Sequence, residues 1–173
     1  MKNQKFKIVP AQSSIKWVGK KVTGSHDGTI AITKGELNLN DGQLAGGTIV
    51  VDTTSIKIDD ITDPQTNAQF AGHLASDDFF SSQKFPKATL EILSVKEKHV
   101  EANLTIKGIT HRIGFDATVE VKGSQLNATA KLIVDRTLYD MKFRSGNFFT
   151  NLGDTLIYNE FDLTITVTAK TEE

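Results

Sequence analysis

Gly72-His73-Leu74-Ala75-Ser76-Asp77-Asp78-Phe79-Phe80-Ser81-Ser82-Gln83-Lys84-Phe85-Pro86-Lys87 interrupts a chain that otherwise reads as β-strand from end to end. The spacing reads as an aromatic-rich helical insert. Phe79, Phe80 and Phe85 make it too apolar for a free surface loop, so it must bury itself against something. In an all-β chain the natural target is the open end or the interior of a barrel, with the helix as lid or plug. A barrel with a hydrophobic interior is therefore the first expectation.

Outward from the insert, a period of two dominates. Ile15 and Trp17 alternate with polar residues in Ser14–Val18. Thr29–Thr33 and Glu36–Asn40 are two further alternating runs, and Lys34-Gly35 between them reads as a bulge or bend in one long strand. Asn40-Asp41-Gly42-Gln43 predicts a hairpin, because Asp-Gly tolerates the positive φ of a tight turn. Its partner strand runs from about Leu44 to Asp52. Downstream, strands are expected over Ala88–Lys96, His99–Lys107, Thr110–Val121, Gln125–Asp135 and Thr155–Thr168. Turns fall at Glu97-Lys98, Lys107-Gly108 and Lys122-Gly123-Ser124. The result is about eight antiparallel strands.

Two segments break this meander. In Ile56–Pro86, Asp63-Pro64 has the form of a helix start, with Asp as N-cap and Pro in the first turn. Phe70, Leu74, Asp77 and Asp78 follow at helical spacing, and Phe85-Pro86 ends the insert. Arg136–Asp154 carries Tyr139, Met141, Phe143, Phe148 and Phe149 together with Gly146 and Gly153. Aromatic-rich loops of this kind could pack on each other at one end of the strand assembly and form a greasy cap over a cavity. Strand periodicity is compatible with a sandwich or a closed barrel. Closure removes the edge strands, and eight strands leave room for side chains or one small ligand. The barrel is the favoured reading.

Composition narrows the function. The 173 residues fit one domain with a sizeable core. The net charge of −1, from 20 basic and 21 acidic residues without blocks of one sign, provides no footprint for nucleic acid or an anionic membrane. Absence of cysteine excludes disulfides and thiolate chemistry. Met1–Pro10 has basic residues but no apolar core, so neither a signal peptide nor a membrane span is read there. A chain whose leader had been removed and restarted at Met1 would look the same. The compartment stays open: periplasmic in that case, cytoplasmic if Met1 is native.

No catalytic or metal signature emerges. His73 and Asp77 would share a helix face, but no third ligand lies nearby, so an exposed polar face is the simpler reading. His26, His99 and His111 fall at predicted strand ends or turns, where solvated histidine is the default. The pairs Asp59-Asp60 and Asp77-Asp78 are adjacent, so their side chains diverge, which is poor geometry for general acid and base. Asn103-Leu104-Thr105 and Asn127-Ala128-Thr129 fit the glycosylation pattern but read as outward polar positions in strands.

Four pieces carry a resemblance over about Phe6 to Lys170. They are Pro10–Trp17, Asp52-Thr53-Thr54-Ser55-Ile56, the insert from Gly72-His73-Leu74 to Lys84-Phe85-Pro86, and Leu104–Thr110. With Asp135-Arg136-Thr137 and Ser145–Asp154, they resemble the YceI-like family. Gln12 and Lys20 stand where many members have histidine, Thr23–Gly28 replaces an aromatic-containing turn, and Tyr139 is followed by Asp140 rather than Gly.

The resemblance implies an eight-stranded antiparallel lipocalin-like barrel, with one short helical insert between strands 3 and 4 and a long aromatic-rich loop before the last strand. It implies a bacterial protein that binds a long-chain isoprenoid lipid, polyprenyl or quinone, as a carrier, storage or sensing protein. Alternation and place in the lid make Trp17, Phe79, Phe80, Phe85, Leu90, Ile92, Phe115, Leu132 and Phe161 the expected lining. His26, Asp135 and Arg136 are the candidates for head-group contacts; a cation suits a pyrophosphate, whereas a quinone needs only a hydrogen-bond donor. No cofactor, metal or catalytic residue is expected, and no stable membrane insertion; a homodimer is compatible with the chain. Two other classes compete: an enzyme or stress-response hydrolase acting on the lipid, and a solid-core structural or interaction barrel. The small residues Ala128 and Ala130 argue for space inside.

Overall fold

The structure, a computed structural model, describes residues 3–21, 24–76, 79–139, 141 and 157–171. Among the described residues nine strands follow one another: β1 (Asn3–Ile8), β2 (Ser14–Lys21), β3 (Gly24–Asn40), β4 (Gln43–Ile58), β5 (Lys87–Lys96), β6 (His99–Ile106), β7 (Ile109–Lys122), β8 (Gln125–Asp135) and β9 (Ile157–Thr171). One helix, α1 (Pro64–Ala75), lies between β4 and β5. All neighbours pair antiparallel, and β3–β4 pairing closes the sheet on itself.

The closed barrel has eight staves because β1 and β2 share one. β1 pairs β3 through Phe6↔Leu37 and β9 through Ile8↔Ala169. β2 pairs the other halves of the same strands, through Ile15↔Ile30 and Ile15↔Ile165. A single 3-10 turn over Pro10–Gln12 offsets the two. β1 is an addition to the strands read from sequence, so the helix follows the fourth strand rather than the third. β3 also begins earlier, at Gly24, and places His26 on a strand rather than in a turn.

The local expectations have visible causes. Asp41 (φ 53°) and Gly42 (φ 82°) form the left-handed hairpin turn between β3 and β4. The register slips between Ile32 and Lys34, a bulge at the predicted place. Beside it Gly35 must lack a side chain, since a Cβ would lie 2.5 Å from Ile8 Cδ1 and 2.7 Å from Thr48 O. A larger bulge falls in Asp52-Thr53-Thr54-Ser55-Ile56. Thr29 pairs Lys57 but Ala31 pairs Asp52. Ser55 Oγ accepts the amide of Ala31 (2.8 Å) in place of a ladder carbonyl, and donates to Asp52 O (2.6 Å).

The helix starts where predicted and ends sooner. Asp63 accepts from Thr66 N (3.0 Å), and Pro64 occupies the first turn. The helix stops at Ala75, so Phe79 and Phe80 are not helical. Instead the chain folds back under the helix end. Phe80 N donates to Leu74 O (3.0 Å) and Ser82 N to Ala75 O (2.9 Å), which satisfies carbonyls that a helix terminus leaves open. Asp77, Asp78, Phe143, Phe148 and Phe149 lie outside the described residues.

The interior has two halves. Between the helix end and the opposite end, inward residues alternate regularly: Leu90 and Ile92 on β5, Val100 to Ile106 on β6, Ile165, Val167 and Ala169 on β9. In the half away from the helix these pack solidly around Phe6, Leu39, Val100 and Leu126, each at most 1% exposed. The half beneath the helix is hollow.

Candidate functional site

A cavity of about 440 Å³ opens beneath α1, inside the upper half of the barrel. Its floor and walls are aliphatic: Ile15, Ile30, Ile49, Leu90, Leu104 and Ile165 among them. Its roof is the insert. Phe70, His73 and Leu74 of α1 face down, with Phe79 and Phe80 tucked under the helix end. Polar groups are gathered at this roofed end, where Lys20, His26, Glu160 and Arg136 reach the lining. The cavity is thus apolar at its blind end and polar at its mouth.

Trp17, half-buried on β2, lies on the wall, and its indole Nε1 donates to Lys57 O (3.2 Å). Gly28 lies opposite, where a Cβ would meet Trp17 Cζ2 at 2.8 Å and Lys57 O at 1.7 Å. Only glycine leaves room for the indole and the incoming β4 backbone together. Phe80 meets Phe161 edge to face, with centroids 6.4 Å apart.

Of the residues singled out from sequence, Trp17, Phe79, Phe80, Leu90, Leu132, Phe161, His26 and Arg136 line the cavity. Four do not. Ile92 is opposite Gly47 and Ala102, one inward position below Leu90, in the packed half. Phe115 is opposite Val100, also in the packed half. Phe85, half-buried, lies instead against Gly108, whose would-be Cβ is 3.2 Å from the ring. Asp135 caps its own chain instead, accepting from Thr137 N (3.0 Å) and Thr137 Oγ1 (2.6 Å). Residues beyond the expected lining complete the wall, notably Thr53 and Ala88, together with Phe70 and His73 of the insert and Met141 of the second aromatic-rich segment. Thr53 is fully committed: its Oγ1 donates to Phe85 O (2.7 Å), and Ser82 Oγ donates to Thr53 O (3.0 Å).

No residue of β7 reaches the cavity, and the reason is topological. β7 and β8 pair from Ala117↔Ala130 to Lys122↔Gln125 only. Above that the staves part, and the 3-10 turn Arg136–Tyr139 fills the gap. His111 Nε2 donates to Leu138 O (2.9 Å), and its ring meets Tyr139 edge to face at 5.2 Å. The Tyr139 hydroxyl is buried without a hydrogen-bond partner among the described residues. Burial, with the charge of Asp135, pushes its pKa up to about 12.

Arg136 is the notable charge of the site. It is 3% exposed, its Nη1 donates to Met141 O (2.6 Å), and its guanidinium lies 5.6 Å from the Phe79 ring centroid. Burial lowers its pKa to about 10, against the opposing pull of Asp135, so it remains a cation at neutral pH. An anion or strong acceptor reaching this wall would meet a cation already stripped of bulk water.

The lid is held by acid-sensitive bonds. His26 Nδ1 donates to Asp60 Oδ2 (2.7 Å), Asp27 N donates to Asp60 Oδ1 (3.1 Å), and Phe70 of α1 rests edge-on against His26 (4.9 Å). Asn67 Nδ2 ties the helix to Ile58 O (2.8 Å) and Ile61 O (3.0 Å). Burial tends to raise the pKa of Asp60, but the hydrogen bonds from His26 and Asp27 outweigh it and the net shift is downward. Asp63 is lowered by its bonds to Thr66. Both folded values lie below the ordinary 3.8, so their contribution is complete above that pH and is lost as pH falls through the lowered values. Hydrogen exchange is expected to show α1 amides losing protection as pH falls below the ordinary carboxylate value of 3.8, ahead of the β-strand amides. Simultaneous loss in helix and strands would contradict this.

Among the described residues no group of His, Asp and Glu is placed to hold a metal ion, and no helix is long and apolar enough to cross a membrane. A closed antiparallel barrel with a lidded apolar cavity defines a class of small-ligand barrels. The chain belongs to the YceI-like family, whose domain matches residues 6–169. A UPF0312 protein of Staphylococcus aureus (strain bovine RF122 / ET3-1) is 37% identical over 107 residues, 62% of this chain and 56% of that relative. The match therefore spans little more than half of that protein. BcnA of Burkholderia cenocepacia superposes with a TM-score of 0.74 at 18% identity, over 94% of this chain and 99% of that one. A polyisoprenoid binding domain from Saccharophagus degradans, implicated in plant cell wall breakdown, superposes at 0.71 and 12% identity, over 96% and 98%. At these identities the structural likeness speaks to fold.

Proposed function

We infer that this protein binds the chain of an isoprenoid lipid, a polyprenyl compound or an isoprenoid quinone, inside the barrel, as a carrier, store or sensor. The observation that carries this reading is the polarity of the cavity. It has an aliphatic blind end and a mouth that collects Arg136, His26, Lys20 and Glu160 beneath a helical lid. A hydrocarbon chain gains about 0.8 kcal/mol for each methylene taken from water, so burial alone drives entry. The tail then points to Ile15, Ile49 and Ile165, and the head group stays near Arg136 and His26. The likeness to a polyisoprenoid binding domain agrees with this ligand class. A binding protein accounts for the site without a catalytic step: its titratable groups serve the lid and the mouth.

Mass spectrometry of an organic extract of the purified, folded protein tests the reading. A stoichiometric isoprenoid or quinone is expected. An extract without lipid, together with failure to take up added prenyl ligands, would contradict it.

A further inference from the structure

We propose that the barrel encloses about three isoprene units, so that a short prenyl chain of the farnesyl class is its fitting ligand and a longer chain leaves its remainder outside the lid. The proposal rests on the isoprenoid reading above and concerns the length that the same site accepts.

The floor sets the limit. Below Ile15 and Ile165 the interior is occupied by Phe6, Ile8, Leu39, Val100, Phe115 and Leu126, all buried, and none of them lines the cavity. β1 supplies the plug: Phe6 is fully buried between β3 and β9, so the barrel is blind at that end rather than a through-tunnel.

Depth and volume agree on the capacity. The lining runs from Ile15 to Lys20 on β2 and from Glu160 to Ile165 on β9. At about 3.3 Å per residue each run is about 16 Å of wall. An extended chain advances about 1.2 Å per backbone bond, so an isoprene unit, with about four such bonds, advances about 5 Å. The wall therefore accommodates about three extended units. Independently, an apolar cavity of about 150 Å³ holds benzene, about 25 Å³ per carbon. On that scale 440 Å³ holds about 18 carbons, which is more than three isoprene units and less than four.

Trp17, the single tryptophan of the chain, lies on the cavity wall and reports occupancy by fluorescence. The wild-type protein would be titrated with geraniol, farnesol, geranylgeraniol and octaprenol, with competition against farnesol confirming a shared site. Affinity is expected to rise about tenfold or more from geraniol to farnesol, and to change by less than about threefold beyond it. Affinity that keeps rising about tenfold per step to geranylgeraniol and octaprenol would overturn the length limit while leaving isoprenoid binding in place. If no prenol of any length binds, the isoprenoid reading falls and the length limit with it.

Discussion

Phe6→Ala is expected to destabilise the protein by about 3–5 kcal/mol, the usual cost of truncating a fully buried phenylalanine. For a chain of this size that lowers Tm by about 6–20 °C. The effect is large for a residue so near the terminus because Phe6 is 0% exposed and opposite Leu37 on β3 and Thr171 on β9. Its removal leaves a void in the packed half and loosens β1, which exposes unpaired backbone on both neighbours. Thermal unfolding followed by circular dichroism checks this. A shift of less than about 2 °C would mean that β1 is not part of the core.

The second large effect concerns binding. Ala88 is on β5 opposite Val51, and its methyl faces the cavity. Ala88→Phe puts about six more carbons into space a ligand would use. At about 0.8 kcal/mol per carbon this displaces about 4–5 kcal/mol of transfer free energy, so prenyl affinity should fall by at least about a hundredfold. The fold should hold, because the new ring enters open volume rather than a packed core. Trp17 fluorescence titration beside a melting curve separates the two readouts. Unchanged affinity with an unchanged melting curve would place the ligand elsewhere.

The sequence is most legible where one residue type answers one local demand. Asp63-Pro64 starts a helix, Asp41-Gly42 turns a hairpin, and Lys34-Gly35 marks a bulge, because each serves a backbone need that few residues meet. Alternation likewise identifies the inward face of nearly every strand. It carries no information about height along the barrel, which depends on register between strands distant in sequence. For that reason Ile92 and Phe115 share a face with lining residues yet belong to the packed half. Phe85 departs from the expected lining for a different reason: the helix ends at Ala75, and the chain that follows brings Phe79 and Phe80 to the cavity but Phe85 to Gly108. β1 has an alternating signature in Lys5-Phe6-Lys7-Ile8, but six residues at a terminus are too few to distinguish a strand from a tail. The parting of β7 from β8, which brings Arg136 to the cavity, has no local sequence signal at all.

Isoprenoid binding as proposed gives the cavity a direction: tail to the blind end, head group beneath the helix. Intermolecular NOEs between protein labelled at its methyl and aromatic groups and farnesol test that most directly. Contacts from the terminal methyls of the ligand to Ile15, Ile49 and Ile165, with the hydroxyl-bearing end near Phe79 and His26, are the predicted result. Contacts confined to the outer face of the barrel, or the reverse orientation, would contradict it.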